Sequence, residues 1–126
     1  MRNALLASAV MVLASGCLCG AYNGAGDKVY VRGTESLILC ENGGFVANLA
    51  TGSIEGRVMQ DANGQWFATR GDDGQLAFDF SYATDGSLDA TQLGDDWTRK
   101  TMDQTSLDHA DVQCTDLETR SWWTAQ

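Results

Sequence analysis

From Lys28 onward the chain is a succession of short alternations of apolar and polar residues separated by turn formers. The clearest occupies 76–82, where Leu76, Phe78, Phe80 and Tyr82 alternate with Ala77, Asp79 and Ser81. A period of two places four large apolar side chains on one face of a strand and the small or polar ones on the other. Similar runs predict strands at 28–32, 36–40, 45–49, 54–60, 65–70, 87–93, 97–102 and 109–114, the last with Ala110, Val112 and Cys114 on one face. Between them stand Asn42-Gly43, Asp61-Ala62-Asn63-Gly64, Gly71-Asp72-Asp73-Gly74, Asp85-Gly86 and Gly94-Asp95. Such pairs supply the positive backbone dihedrals that tight hairpins need. Turns at intervals of about ten residues predict an all-β domain, an antiparallel meander closed into a small barrel or folded as a sandwich. No helix-period stretch longer than about two turns stands out. The segment 116–123 suits either a short terminal helix capped by Asp116 or a last strand built on Thr119, Trp122 and Trp123.

The beginning of the chain follows a different pattern. Residues 4–14, ALLASAVMVLA, are uninterruptedly apolar or small, and Arg2 is the only charge before Asp27. A membrane-crossing helix needs about 20 apolar residues, so this shorter run reads as the helical core of an export signal. Leu13-Ala14-Ser15-Gly16-Cys17 follows it and resembles the lipobox of bacterial prolipoproteins, with Ala14 where a large aliphatic residue is usual and Leu13 one place earlier. The resemblance implies cleavage between Gly16 and Cys17, a diacylglycerol on the Cys17 thiol, further acylation such as palmitate, and attachment to a membrane of the cell envelope. Two acyl chains give lasting attachment where one is marginal. Leu18, rather than an aspartate, next to Cys17 fits sorting to an outer membrane. The expected organisation is a signal peptide at 1–16, a flexible glycine-rich tether at 17–27 and a single β domain at 28–126. An alternative stays open: Cys19-Gly20-Ala21 offers small residues to an ordinary signal peptidase, and a cut before Tyr22 releases the domain to the periplasm or the medium.

Cysteine usage extends the picture. A cut before Tyr22 leaves two cysteines, Cys40 and Cys114, an even number for an oxidising compartment. Both are expected on strands near opposite ends of the domain, joined by a structural disulfide. Without a Cys-x-x-Cys pair and with His109 as the only histidine, a redox or metal role is not expected.

Charge and composition narrow the partners. The chain has 126 residues, no proline, 17 acidic residues against 8 basic and a formal charge of −9. Scattered basic residues in an acidic protein exclude nucleic acid as the expected ligand, because phosphate backbones are held by clustered Lys and Arg. The acidic surface serves solubility and is compatible with a basic envelope protein as partner.

Little catalytic chemistry is visible, and no cofactor is expected. His109, with Asp108 and Asp111 beside it, is a candidate surface residue expected to point away from the core. A catalytic role for it would require a cleft and an oriented partner. The turns DANG and GDDG lack the alternating oxygen ligands of a calcium loop. Of the four tryptophans, Trp122 and Trp123 are adjacent, so on a strand they face opposite ways and one is exposed, a candidate surface for a protein or a glycan.

Cys40-Glu41-Asn42-Gly43, an export leader with a lipobox, and a disulfide from an early strand to the chain end are similar to features of the β-barrel lipoproteins that inhibit C-type lysozyme. The resemblance covers about a tenth of the chain and implies an acidic domain steered to a basic enzyme. The serine- and glycine-containing loop and the late Trp-Lys-Gly segment of those inhibitors have no counterpart here, and no inhibitory residues are assigned. The expected function is therefore that of a lipid-anchored envelope binding or structural module.

Overall fold

A computed structural model describes residues 26–123. The export signal with its expected helix, Cys17, and the tether as far as residue 25 lie outside the described residues. Eight antiparallel strands follow one another around a closed barrel: β1 (Lys28–Arg32), β2 (Glu35–Leu39), β3 (Gly44–Leu49), β4 (Gly52–Gln60), β5 (Trp66–Arg70), β6 (Leu76–Tyr82), β7 (Leu88–Ala90) and β8 (Gly94–Arg99). Each strand pairs with its sequence neighbour, and β8 closes on β1 through Tyr30↔Arg99 and Val31↔Thr98. Of the two expected β architectures, the barrel is the one formed.

The period-two pattern explains the interior. Tyr30 faces Leu37, Leu39 faces Phe45, Ala68 lies between Val58 and Phe78, and Leu88 faces Trp97. These are the buried residues of one continuous cluster that fills the barrel. Large side chains sit opposite small ones: Phe45 opposite Gly56 and Phe80 opposite Ala90. An eight-stranded barrel is only wide enough for such interdigitation, so the inside is a packed core. On β6, Phe78 and Phe80 are buried as the alternation requires, while Leu76 and Tyr82 at the strand ends are half exposed.

The hairpin turns fall where the glycines placed them, and Gly43, Gly64, Gly74, Gly86 and Gly94 all have positive φ. Asp61, Asp73 and Asp85 reinforce three of these turns, each carboxylate accepting a backbone N–H two residues on.

The largest departure from the sequence reading is α1 (Gln104–Leu117), a helix of 14 residues where a strand was expected at 109–114. Its buried residues are Ala110, Cys114 and Leu117. With Leu107 they recur at intervals of three and four, a helical period. The alternation of Ala110, Val112 and Cys114 imitates a strand across the same residues, but Val112 points outward and is 59% exposed. Asp103 caps the helix, its carboxylate accepting the Ser106 N–H at 2.8 Å. β7 is also shorter than the run expected at 87–93, and β8 lies three residues earlier than the run expected at 97–102, since residues 100–103 turn the chain from the barrel into the helix.

The helix is the second layer of the molecule. Val29, Ile38 and Val46 lie in register across β1, β2 and β3 on the outside of the barrel. Ala110, Cys114 and Leu117 cover them. The Cys40–Cys114 disulfide, with Cα atoms 5.7 Å apart, joins the turn after β2 to this helix rather than strand to strand. No helix among the described residues is long and apolar enough to cross a membrane.

Candidate functional site

The helix does not cover the whole apolar face of β1–β3. Beneath its first half a cleft of about 370 Å³ remains open. Val29, Val31 and Ile38 from the sheet, Met102 from the linker and Ala110 from the helix supply its apolar part. Ser36, Asn48, Lys100, Ser106, His109 and Gln113 supply polar groups. The size falls within the roughly 300–1,000 Å³ usual for small-molecule sites, and the mixture of an apolar floor with a few polar groups has the same character.

Secondary structure fixes each side chain. His109 stands one turn after Ser106 and one turn before Gln113, so helical spacing brings all three to the same face. Asn48 anchors the floor to the helix, donating to Ser36 Oγ and to Gln113 Oε1, both at 3.1 Å. Lys100 is held through its backbone N–H, which donates to the Val29 carbonyl at 2.9 Å. None of the twelve residues lining the cleft is acidic, although the chain has 17 acidic residues. Asp103, nearby in sequence, turns its carboxylate to the helix N-terminus; that hydrogen bond, assisted by the Lys100 charge, lowers its pKa.

His109 therefore lines a cleft, as a functional role would require. Among the described residues no hydrogen bond or ion pair orients its imidazole. Asp108, its neighbour, accepts from the Gln104 amide at 2.8 Å instead.

The tryptophan pair lies elsewhere. After α1 the chain turns back over β4 and β5, and neither Trp122 nor Trp123 is on a strand. Instead of facing opposite ways, both are half-buried, with ring centroids 5.8 Å apart, and both pack on the cluster beneath the helix. The Arg57 guanidinium lies 4.3 Å from the Trp123 centroid and 5.7 Å from that of Trp122, and donates to the Trp123 carbonyl. Its burial there lowers the Arg57 pKa. Trp122 lies so close to Gly71 that a Cβ there would overlap the indole. Arg120 completes the clasp with two hydrogen bonds to the Glu55 carboxylate, of 2.6 and 3.2 Å. The candidate surface for a protein or a glycan at Trp122 and Trp123 thus consists of half-buried rings in contact with Arg57.

Cys40 and Cys114 form the expected bond, and their surroundings are acidic. Asp27, Glu41, Asp111 and Glu118 border a shallow depression of about 220 Å³ beside it. Asp27 and the two sulfurs cluster closely, but sulfurs joined in a disulfide are not thiolate ligands. Asn42 buckles this end. Its amide donates to the Cys114 carbonyl at 3.0 Å and to the Glu118 carboxylate at 2.9 Å, while its oxygen accepts the Gly44 N–H.

Sequence reasoning found His109 but not its companions Lys100, Met102 and Ser106. The available signal was the second apolar face of β1–β3: Val29, Ile38 and Val46 sit at positions that a one-sided strand leaves polar. Comparison of the chain with protein-family models, with curated proteins and with solved structures finds no match.

Proposed function

We propose that the protein is a bacterial envelope lipoprotein, attached through a diacylglycerol on Cys17 to a membrane, in first place the outer membrane, and that its barrel acts there as a binding module. The observation that carries the module reading is the packed barrel. Phe45, Phe78, Phe80 and Trp97 fill the space where a carrier would hold its cargo, so a partner is met on the exterior. The lipobox-like segment ending at Cys17 and the short apolar run before it support the anchor. β1 begins at Lys28, so a tether from Cys17 to Asp27 would enter the domain beside the Cys40–Glu41 turn, where Asp27 accepts the Glu41 N–H at 2.8 Å. The acidic groups around that turn favour a basic partner surface.

The test is the mature N-terminus. The full-length gene is expressed in bacteria with and without an inhibitor of the lipoprotein signal peptidase, and the intact mass of the product is measured. A diacylglycerol-modified Cys17, with precursor accumulating under the inhibitor, supports the proposal. An unmodified chain beginning at Tyr22 replaces it with a secreted domain.

A second reading, inhibition of a C-type lysozyme, is favoured by the Cys40–Cys114 disulfide and the net negative charge. It predicts salt-sensitive inhibition of such an enzyme by the purified protein.

A further inference from the structure

We infer that the cleft between α1 and β1–β3 binds a single-chain anionic amphiphile, an alkyl carboxylate, with its chain along Val31, Ile38 and Met102 and its head at Lys100 and His109. The inference goes beyond the anchoring proposal and rests on attachment at Cys17 only for the nearby supply of acyl chains.

Three observations carry it. First, the cleft is a cavity of ligand size whose open apolar surface is Val31 and Met102, both only partly buried, above the buried Val29 and Ile38. Apolar surface of this kind gains most from a flexible hydrocarbon, and burial of a chain is roughly proportional to the area removed from water. Second, the charge at this site opposes that of the molecule. The chain carries −9 overall, yet the cleft holds its only histidine and one of its two lysines and no carboxylate. Lys100 lines the cleft and makes no ion pair among the described residues, although its charge also acts on the Asp103 carboxylate at the helix start. A carboxylate head there meets a cation and an imidazole N–H, while a cationic head meets repulsion and a neutral one forgoes the attraction. Third, the cleft opens on β1, the strand that the N-terminal segment enters. Residues 17–27 span at most about 35 Å when extended, so a chain anchored at Cys17 holds this cleft close to a supply of acyl chains.

The acidic depression beside the disulfide lies further along the same helix and has the opposite sign, with Asp111 on the helix, Glu118 at its C-cap, Asp27 just before β1 and Glu41 in the turn after β2. A carboxylate is repelled there. The two sites therefore differ for this ligand in both charge and apolar lining, which makes position a readout.

The experiment is photolabelling of the purified mature protein with dodecanoic acid carrying a diazirine at its far end, and in parallel with the methyl ester of the same probe, followed by peptide mapping. Labelling by the acid on peptides containing Val31, Ile38 or Met102, several-fold above labelling by the ester, is the expected result. Lys100→Glu, at an exposed position, lowers acid labelling several-fold and leaves ester labelling unchanged. Ser36→Phe, which fills the cleft with a residue that suits a strand, abolishes both, and its thermal melt reports that the barrel is intact. Label spread over the barrel, equal labelling by acid and ester, or no response to Lys100→Glu overturns the inference. Because the readout is the site of labelling and not the N-terminus, a failure here is distinguishable from an unmodified Cys17.

Discussion

The Arg57 guanidinium lies over the Trp123 indole, 4.3 Å from the ring centroid, and donates to the carbonyl of the same residue. One side chain from the middle of β4 thereby fastens the last described residue of the chain to the barrel. A desolvated cation over an aromatic face contributes about 1–2 kcal/mol, and the arginine stem adds apolar contact. Arg57→Ala is expected to lower unfolding free energy by about that amount, measured by urea denaturation, with the tryptophan emission shifted to the red in the native state. Arg57→Lys keeps the charge but not the planar stack, and recovers only part of the loss. Unchanged stability in both variants would mean that the clasp is decorative.

Two glycines separate backbone approach from side-chain packing. A Cβ at Gly56 would meet the Thr69 carbonyl oxygen, part of the β4–β5 ladder that cannot shift without breaking pairing. The atoms nearest a Cβ at Gly71 would be those of the Trp122 indole. Gly56→Ala is therefore expected to give little folded protein, whereas Gly71→Ala folds, with Trp122 displaced and a cost of about 1–3 kcal/mol. The same thermal melt on both variants checks the order, and the reverse order would contradict the packing at both sites.

The antiparallel meander was legible in the sequence because its signals are local, whereas its closure into a barrel rather than a sandwich was not. Alternation at 76–82 and glycines at the hairpins each act within a few residues, and they agree with one another. The helix was not legible, because its apolar stripe is thin. Leu107, Ala110, Cys114 and Leu117 include one alanine and one cysteine, and Val112 lies off the stripe and completes a false strand pattern. What makes 104–117 helical is tertiary: the unfilled outer face of Val29, Ile38 and Val46, which only folding assembles. The cleft follows from that docking, so Lys100 and Met102 had no signature of their own. The tryptophans were misplaced for a related reason. A strand rule assigns opposite faces, but the chain beyond Glu118 turns, and Arg57, more than sixty residues earlier, organises both rings.

The disulfide holds the helix more than it holds the barrel. Neither cysteine belongs to the cluster inside the barrel, while both belong to the cluster under α1. Closing a loop of 74 residues constrains the unfolded chain by about 4 kcal/mol in the chain-entropy description, and measured losses are often smaller. Cys40→Ser with Cys114→Ser is expected to lower global stability by about 2–4 kcal/mol. Amide exchange should accelerate in α1 before it does in β4–β6. Uniform acceleration would show instead that the helix and the barrel open as one unit.

Acid sensitivity is expected from three carboxylates, the partly buried Glu35 and the exposed Asp85 and Asp103, held in their charged form. Glu35 accepts the Ala50 N–H and pairs with Arg32, Asp85 accepts from the Ser87 hydroxyl and N–H, and Asp103 accepts the Ser106 N–H at the helix start. Each of these lowers the pKa in the folded protein. The unfolded chain then binds protons first, so stability is fully present above the ordinary carboxylate range of about 4 and is lost as pH falls through the lowered folded values. The thermal midpoint should be level from neutral pH down to that range and decline below it. Asp103 separates hydrogen bonding from charge: asparagine caps a helix as well as aspartate does, and alanine does not. Asp103→Ala should lower the midpoint at neutral pH, whereas Asp103→Asn should nearly preserve it and make the acid decline shallower. An acid decline as steep in Asp103→Asn as in the parent would assign the sensitivity to Glu35 and Asp85 and remove the helix cap from the account.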